Sequence, residues 1–326
     1  MAQRIKSFAV NNGPLLTTII IFIIVYFLGG RLYPAMQKPQ VFFNLFINNA
    51  SLLLVSIGLT LVIITKGIDL SVAGVIALVS AASAALLQAG VSPWVVLPLM
   101  LVMGTALGMI MGLIIQYFKV EPFIVTLMGM WFARGMAYII TLTSLTIQDD
   151  AYRYLALTKV YIPGFEKVYL YIPSMIGPLL ILVVFYISKF TRFGRTIYAI
   201  GNNEQSAQLM GLPVARTKVI VYSFGGFCSA LAGIVFSISL LSGYGGYANT
   251  MELDAISSVV IGGTLLTGGA GNVIGTLFGV LINGTIVSIL QFNGTLSSWW
   301  TRIGVGALTL IFLGIQSLFY VRKKHS

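Results

Sequence analysis

Residues 70–118 read LSVAGVIALVSAASAALLQAGVSPWVVLPLMLVMGTALGMIMGLIIQYF, with no charged residue between Asp69 and Lys119. An α-helix needs only ~20 apolar residues to cross a bilayer. The run holds one turn composition, Ala89-Gly90-Val91-Ser92-Pro93, so it reads as two membrane-crossing helices in succession. The flanks are read by the same rule, because a charge at mid-bilayer costs ~2.5–3.5 kcal/mol on insertion scales. Charge-free runs cover Phe8–Gly30, Pro39–Thr65, Leu170–Ser188, Val219–Met251, Ala255–Thr301 and Ile303–Val321. Ala255–Thr301 is again double, broken at Thr267-Gly268-Gly269-Ala270-Gly271-Asn272, and Pro122–Gln148 is interrupted only by Arg134. The expectation is an all-α polytopic membrane protein of about ten transmembrane helices, forming a single domain over residues 1–326.

Composition supports that solvent. The chain has 326 residues, 58% of them hydrophobic and 8% charged, with a mean hydropathy of +0.97. A soluble domain carries about 25% charged residues. The single cysteine, Cys228, excludes an intrachain disulfide and a thiolate metal cluster. The single histidine, His325, excludes a His-centred triad or an HExxH site. No GxxxxGK[ST] loop is present, so no nucleotide is hydrolysed here and no cofactor or metal is expected. The net charge of +11 reads as contact with anionic lipid, not nucleic acid. Arg4, Lys6, Lys66, Lys119, Lys189, Arg192, Arg195, Arg216, Lys218, Arg322, Lys323 and Lys324 fall on one side, against Arg31, Lys38, Arg153, Lys159 and Lys167 on the other. The richer side is expected to be cytoplasmic, with both termini there.

The polar residues left inside this frame are the candidates for function. Asp69 and Ser71 lie in Lys66-Gly67-Ile68-Asp69-Leu70-Ser71 between two spans. Asp69 reads as a helix cap, as a group on a permeation path, or as both. Arg134 lies about a dozen residues into its span, ~20 Å deep at helical rise, and reads as functional or as the structural partner of a carboxylate such as Asp254. Asn48 and Asn49 precede an apolar run and either bond across helices or mark its start. Gly104/Gly108/Gly112 and Gly271/Gly275/Gly279 are small-residue stripes that let helices approach, either within this chain or between chains. Each stripe follows an acidic segment, Ile68-Asp69-Leu70-Ser71 or Leu253-Asp254-Ala255-Ile256-Ser257. That parallel marks an inverted repeat or a chance likeness of apolar segments. An outer loop near 142–169 carries Asp149, Asp150, Tyr152, Tyr154 and Glu166.

The most polar stretch is the loop at about 189–218. It reads as an approach segment, a glycine turn and a short helix from Glu204 to Met210 closed by Gly211. So short a helix must pack on its own spans or on a partner.

Three segments together, Gly67–Val72, Arg192–Leu212 and Glu252–Gly269, resemble the permeases of bacterial ABC sugar importers of the ribose/xylose/galactofuranose type. Phe292–Thr301 is most similar to the galactofuranose branch. Lys66-Gly67 and Val72-Ala73-Gly74 depart from the family's usual Gly-Gly and Val-Gly. The resemblance implies an inner-membrane permease subunit moving a monosaccharide. A separate ABC ATPase subunit would use ATP, a periplasmic sugar-binding protein would deliver the cargo, and a second related permease would complete a heterodimer. The expected substrate path runs through Asn49, Asp69, Ser71, Arg134, Asp254 and Thr264. The resemblance implies ATPase coupling in the Glu204–Gly211 segment, with Arg195, Gly201 and Asn203 beside Glu204 and Gly211 as candidates. The competing class is an ion- or proton-coupled secondary transporter using Asp69, Glu121 and Asp254. Spans with almost no central carboxylate count against it.

Overall fold

The computed structural model describes residues 13–165, 167–294 and, in part, 299–314. The terminal cations Arg4, Lys6, Arg322, Lys323 and Lys324 lie outside the described residues, as do Glu166 and His325. The helices are α1 (Gly13–Leu32), α2 (Pro39–Asn48), α3 (Ala50–Ile64), α4 (Val72–Gln88), α5 (Pro93–Tyr117), α6 (Pro122–Ile140) and α7 (Asp150–Leu157). They continue with α8 (Ile172–Phe190), α9 (Arg192–Asn202), α10 (Glu204–Leu209), α11 (Val214–Leu240), α12 (Met251–Ile261) and α13 (Val273–Asn293). Proline opens α2, α5 and α6, where its missing N–H costs nothing. Strand content is slight. Antiparallel β1 (Leu145–Thr146) pairs with β4 (Ser242–Gly243), and β2 (Lys159–Tyr161) pairs with β3 (Tyr169–Tyr171).

Six helices are long and apolar enough to cross a membrane, and α2 with α3, bent by 58°, can make a seventh. The all-α membrane architecture stands. The charge-free runs do not each become a full-length helix. Helix α4, at 17 residues, lies at the lower end of the ~17–25 that cross a bilayer. Helix α12 has 11 residues, ~16 Å at 1.5 Å per residue, about half of the ~30 Å hydrocarbon layer. The second double run therefore divides into a half-length helix and one span. Gly263, Gly268 and Gly269 hold positive φ in the irregular stretch 262–272 between them. Of the run from Ile303, only the start is described, within a shorter apolar helix.

Helix α3 is apolar on every side, and each residue from Ala50 to Ile64 is buried, as expected of a central helix. Helix α11 packs beside it and against α4 and α5. The α5–α11 crossing is set by the first glycine stripe. A Cβ on Gly226 would collide with the Gly104 carbonyl, and one on Gly108 with that of Tyr222. The second stripe meets α12, with Gly275 against the Gly262 carbonyl and Gly279 against that of Ser258. Both stripes thus serve packing within the chain. Helix α4 runs from the side of Lys66 toward Thr146, which Gln88 reaches at 2.9 Å. Helix α12 runs the other way, ending in a loop that bonds Ile64 at 2.9 Å. Two short helices of opposite direction, each after an irregular segment, are what an inverted repeat requires.

Gly226→Val should lower the melting temperature in detergent, consistent with ~1–3 kcal/mol of overpacking. Gly135→Ala, at a helical position with nothing within 4 Å of the added methyl, should not. Equal melting of both variants would show that the crossing tolerates a side chain.

Candidate translocation site

At the bend between α2 and α3, Asn49 turns its Nδ2 back to donate to the Leu45 carbonyl at 2.8 Å. The bend opens one wall of a cavity of about 570 Å³, within the usual size range of small-molecule sites. Its polar lining includes Asn48, Asn49, Ser51, Ser239, Asp254 and Asn283, with Phe236 and Met251 among the apolar walls. Leu157 and Tyr171 carry the cavity to the outer-loop side. No lysine or arginine lines it. Asn283 Nδ2 donates to Ser258 Oγ at 3.4 Å, and Ser51 Oγ donates to the Ala232 carbonyl at 3.1 Å. Asn49 and Asp254, named from sequence, therefore meet in one cavity.

Asp69, Ser71 and Thr264 are elsewhere. Asp69 is buried, and its Oδ1 accepts from Ser71 N–H at 2.9 Å and Ser71 Oγ at 2.6 Å, ordering the start of α4. Asp69 thus forms a turn just ahead of α4 and is not its cap, because its partner Ser71 is itself the N-cap residue and α4 has no side-chain cap bond. Its Oδ2, the Tyr222 hydroxyl and Thr264 Oγ1 are buried without a protein hydrogen bond. These groups sit where the irregular segments 65–71 and 262–272 meet on the Lys66 side. Gly269 N–H donates to the Ile64 carbonyl at 2.9 Å. The last turn of α9 clasps both segments. Lys66 Nζ donates to the Asn202 carbonyl at 3.2 Å, and the Tyr198 hydroxyl donates to that of Gly271 at 2.9 Å. Burial raises the Tyr198 phenol above its usual range, so it stays a donor. Gly201 does not form the expected turn. It lies inside α9, so near its neighbours that a Cβ would collide with the Ile64 carbonyl.

Beyond this clasp, Asn203 caps α10 by accepting from Ser206 N–H at 2.8 Å. Gly211, at φ 74°, closes the helix as expected. Its N–H donates to Gln208, and Leu212 N–H donates to Ala207, at 3.0 and 3.1 Å, which is a Schellman closure. One face of α10 packs through Ala207 on Ile200 and Val214. The other presents Leu209 and Met210, 89% and 68% exposed. Glu204 Oε2 lies 2.6 Å from Lys218 Nζ on α11, the one ion pair among the described residues. Arg195 stands apart, lining a second cavity with Lys189 and Tyr198.

Residues 41–313 match the family model described as a branched-chain amino acid transport system / permease component. The chain belongs to this permease family. It is 43% identical to the inner membrane ABC transporter permease protein YjfF of Escherichia coli, over 94% of this chain and 92% of that one. It is 37% identical to the fructose import permease FruG of Bifidobacterium longum, over 93% and 90%. It is 38% identical to the ribose import permease RbsC of Bacillus subtilis, over 92% and 90%. No solved structure matches it significantly. The resemblance to ABC transporter permeases is thereby shown, and the relatives named here for a cargo are sugar import permeases.

In this permease Arg134 is buried and donates to the carbonyls of Gly245 and Tyr247, at 3.1 and 3.4 Å, not to Asp254. The cause is the segment 241–250, where Leu241, Ala248 and Thr250 have positive φ and leave carbonyls outside any helix ladder. A guanidinium offers five donors to such groups. Tyr247 in turn packs on the cavity residue Phe236, with ring centroids 5.5 Å apart. Arg134 therefore positions the start of α12 and one cavity wall. Sequence reasoning weighed Asn48 only as a cross-helix bond or a span start, and did not single out Asn283 or Phe236. An amide inside an apolar span was the available signal for Asn283.

Arg134→Ala should lose ~1.5–3 kcal/mol per charged hydrogen bond and lower both melting temperature and transport, and Arg134→Lys should recover little of either. Full transport with unchanged melting by Arg134→Ala would remove this positioning role.

Proposed function

We propose that this chain is the inner-membrane permease subunit of an ATP-driven importer that carries a monosaccharide, a furanose of the galactofuranose type or another pentose or hexose. The observation that carries this reading is the lining of the 570 Å³ cavity: amides, hydroxyls and one carboxylate, with no cation. A free amino acid brings a carboxylate that would be desolvated without a charged partner. A sugar brings only hydroxyls and ring oxygen, which amides and carboxylates satisfy. The lining therefore favours sugar over the amino acids in the family's description. The ribose and fructose permeases among the relatives support the same choice.

The Lys66 side is the cytoplasmic one, as its excess of Lys and Arg requires, and both termini lie there. A separate ATPase docks on the exposed Leu209–Met210 face of α10 and uses the ATP. Gly201, Asn203, Glu204 and Gly211 transmit its motion, with Arg195 on the flank of the same loop. A periplasmic binding protein delivers sugar to the outer-loop side, and a second, related permease completes a heterodimer. Asn49, Asp254 and Asn283 touch the cargo first. Asp69, Ser71 and Thr264 line the later path, which the α9 clasp closes.

In proteoliposomes holding the full complex, Asn283→Leu or Asp254→Asn should cut sugar uptake about ten-fold, the cost of one unmet buried hydrogen bond, with assembly intact. Leucine uptake at a rate equal to sugar uptake would sink the sugar assignment. Glu204→Lys should leave ATP hydrolysis running while uptake falls, because Lys218 then faces a like charge. Adding Lys218→Glu should restore uptake. Uptake by this chain without any ATPase would overturn the importer reading.

A further inference from the structure

The second cavity, about 380 Å³, opens on the basic side between the end of α8, helix α9 and the start of α13. Its lining is Phe185, Ser188, Lys189, Arg195, Tyr198 and Asn272, with Gly271. Two cations and no carboxylate line it, and the one ion pair among the described residues, Glu204–Lys218, is elsewhere. Lys189 Nζ sits 5.4 Å from the Phe185 ring centre and 5.9 Å from that of Phe190, which leaves its N–H groups available. Asn272 uses its side chain to cap α13, accepting from Ile274 N–H at 2.9 Å, so the positive end of a 21-residue helix adjoins the same wall. The cavity is therefore electropositive and selects an anion.

The surface above it selects the kind of anion. Leu182, Phe185, Tyr186 and Lys189 follow helical spacing on one face of α8. Leu182 and Tyr186 are exposed large hydrophobics. An apolar stripe thus runs down a membrane-crossing helix and ends in a cation and a polar cavity. A basic site at the end of a span is a general form of anionic headgroup recognition. A water-soluble phosphate compound would gain nothing from the stripe, whereas acyl chains would cover it.

We propose that this cavity holds the phosphate of an anionic phospholipid, paired by Lys189 and Arg195, with its acyl chains along Leu182 and Tyr186. The lipid would pin α8 to α9, the helix whose last turn clasps the two irregular segments. This site needs only a bilayer and is independent of which cargo is carried.

The test is native mass spectrometry of the full-length chain in mild detergent, titrated with phosphatidylglycerol or with phosphatidylcholine of the same acyl chains. Two basic residues at ~1 kcal/mol each correspond to about 25-fold preference for phosphatidylglycerol, weakened by salt. Lys189→Gln with Arg195→Gln should bring that preference near one. Lys189→Arg with Arg195→Lys should keep it, and Lys159→Gln on the far side should not change it. Melting temperatures of all variants identify any that fail to fold, and the two single Gln variants, each expected at about five-fold, then decide. Unchanged preference in the double Gln variant would overturn the site. Displacement of phosphatidylglycerol by inorganic phosphate at equal concentration would overturn the lipid and leave a free-phosphate site.

Discussion

Everything distinctive in this chain happens where a backbone leaves its helix inside an apolar medium. There, each N–H and C=O must find a partner in the protein. The bend at Asn49 is served by the Asn49 side chain itself, bonded to Leu45. The stretch before α4 is served by Asp69, and the stretch after α12 by the Ile64 carbonyl. The stretch before α12 is held by Arg134. Each device is a polar side chain or a glycine that would be a liability elsewhere in the bilayer. The breaks also supply what a bundle of unbroken helices lacks, namely amides and carboxylates facing a cavity. The constraint that makes the breaks costly therefore also locates the site.

Helix α11 joins these places. Lys218 near its start holds Glu204 of α10. Tyr222 and Gly225 lie against the Asp69 segment, where Gly225 Cα faces Asp69 closely enough that a Cβ would be 3.4 Å from Oδ2. Phe236, a further ~20 Å along at helical rise, is a cavity wall. The glycine crossing with α5 leaves no slack for α11 to bend locally. A packed helix under such restraint shifts as a unit between discrete positions. In the proposed importer, a push on α10 would reach the clasp and the cavity through one rigid body.

Much of this was legible beforehand. Charge-free runs located the spans because the cost of a charge in lipid acts on composition alone. Glu204 and Gly211 bounded α10 because a cap and a left-handed closure are local chemistry. Other features were not legible, for reasons that are equally physical. Apolarity measures solvent, not length, so Ala255–Thr301 looked like two spans although α12 ends at Ile261. The partner of Arg134 is a pair of backbone carbonyls more than a hundred residues away, and carbonyls leave no mark in a sequence. Gly201 read as a turn because glycine signals either conformational freedom or missing volume, and only the nearby Ile64 carbonyl decides between them. Asn48 and Asn283 became site residues only when the bend at Asn49 faced α13.

As the proposed cargo site, the cavity would also limit how tightly cargo is held. Each neutral amide or hydroxyl contributes about 0.5–1.5 kcal/mol net per hydrogen bond, and Asp254 is the only formal charge in the lining. Asn49 and Asn283 each spend one donor, on Leu45 and Ser258, and keep a second N–H and the amide oxygen for hydroxyls. Such a site admits a polar solute without trapping it, which is the condition for passage. High selectivity would need more fixed donors, and each would deepen the well from which the solute must escape. For the proposed sugar cargo, discrimination is therefore better placed on a soluble receptor, and the permease is left to exclude charge and to open on demand.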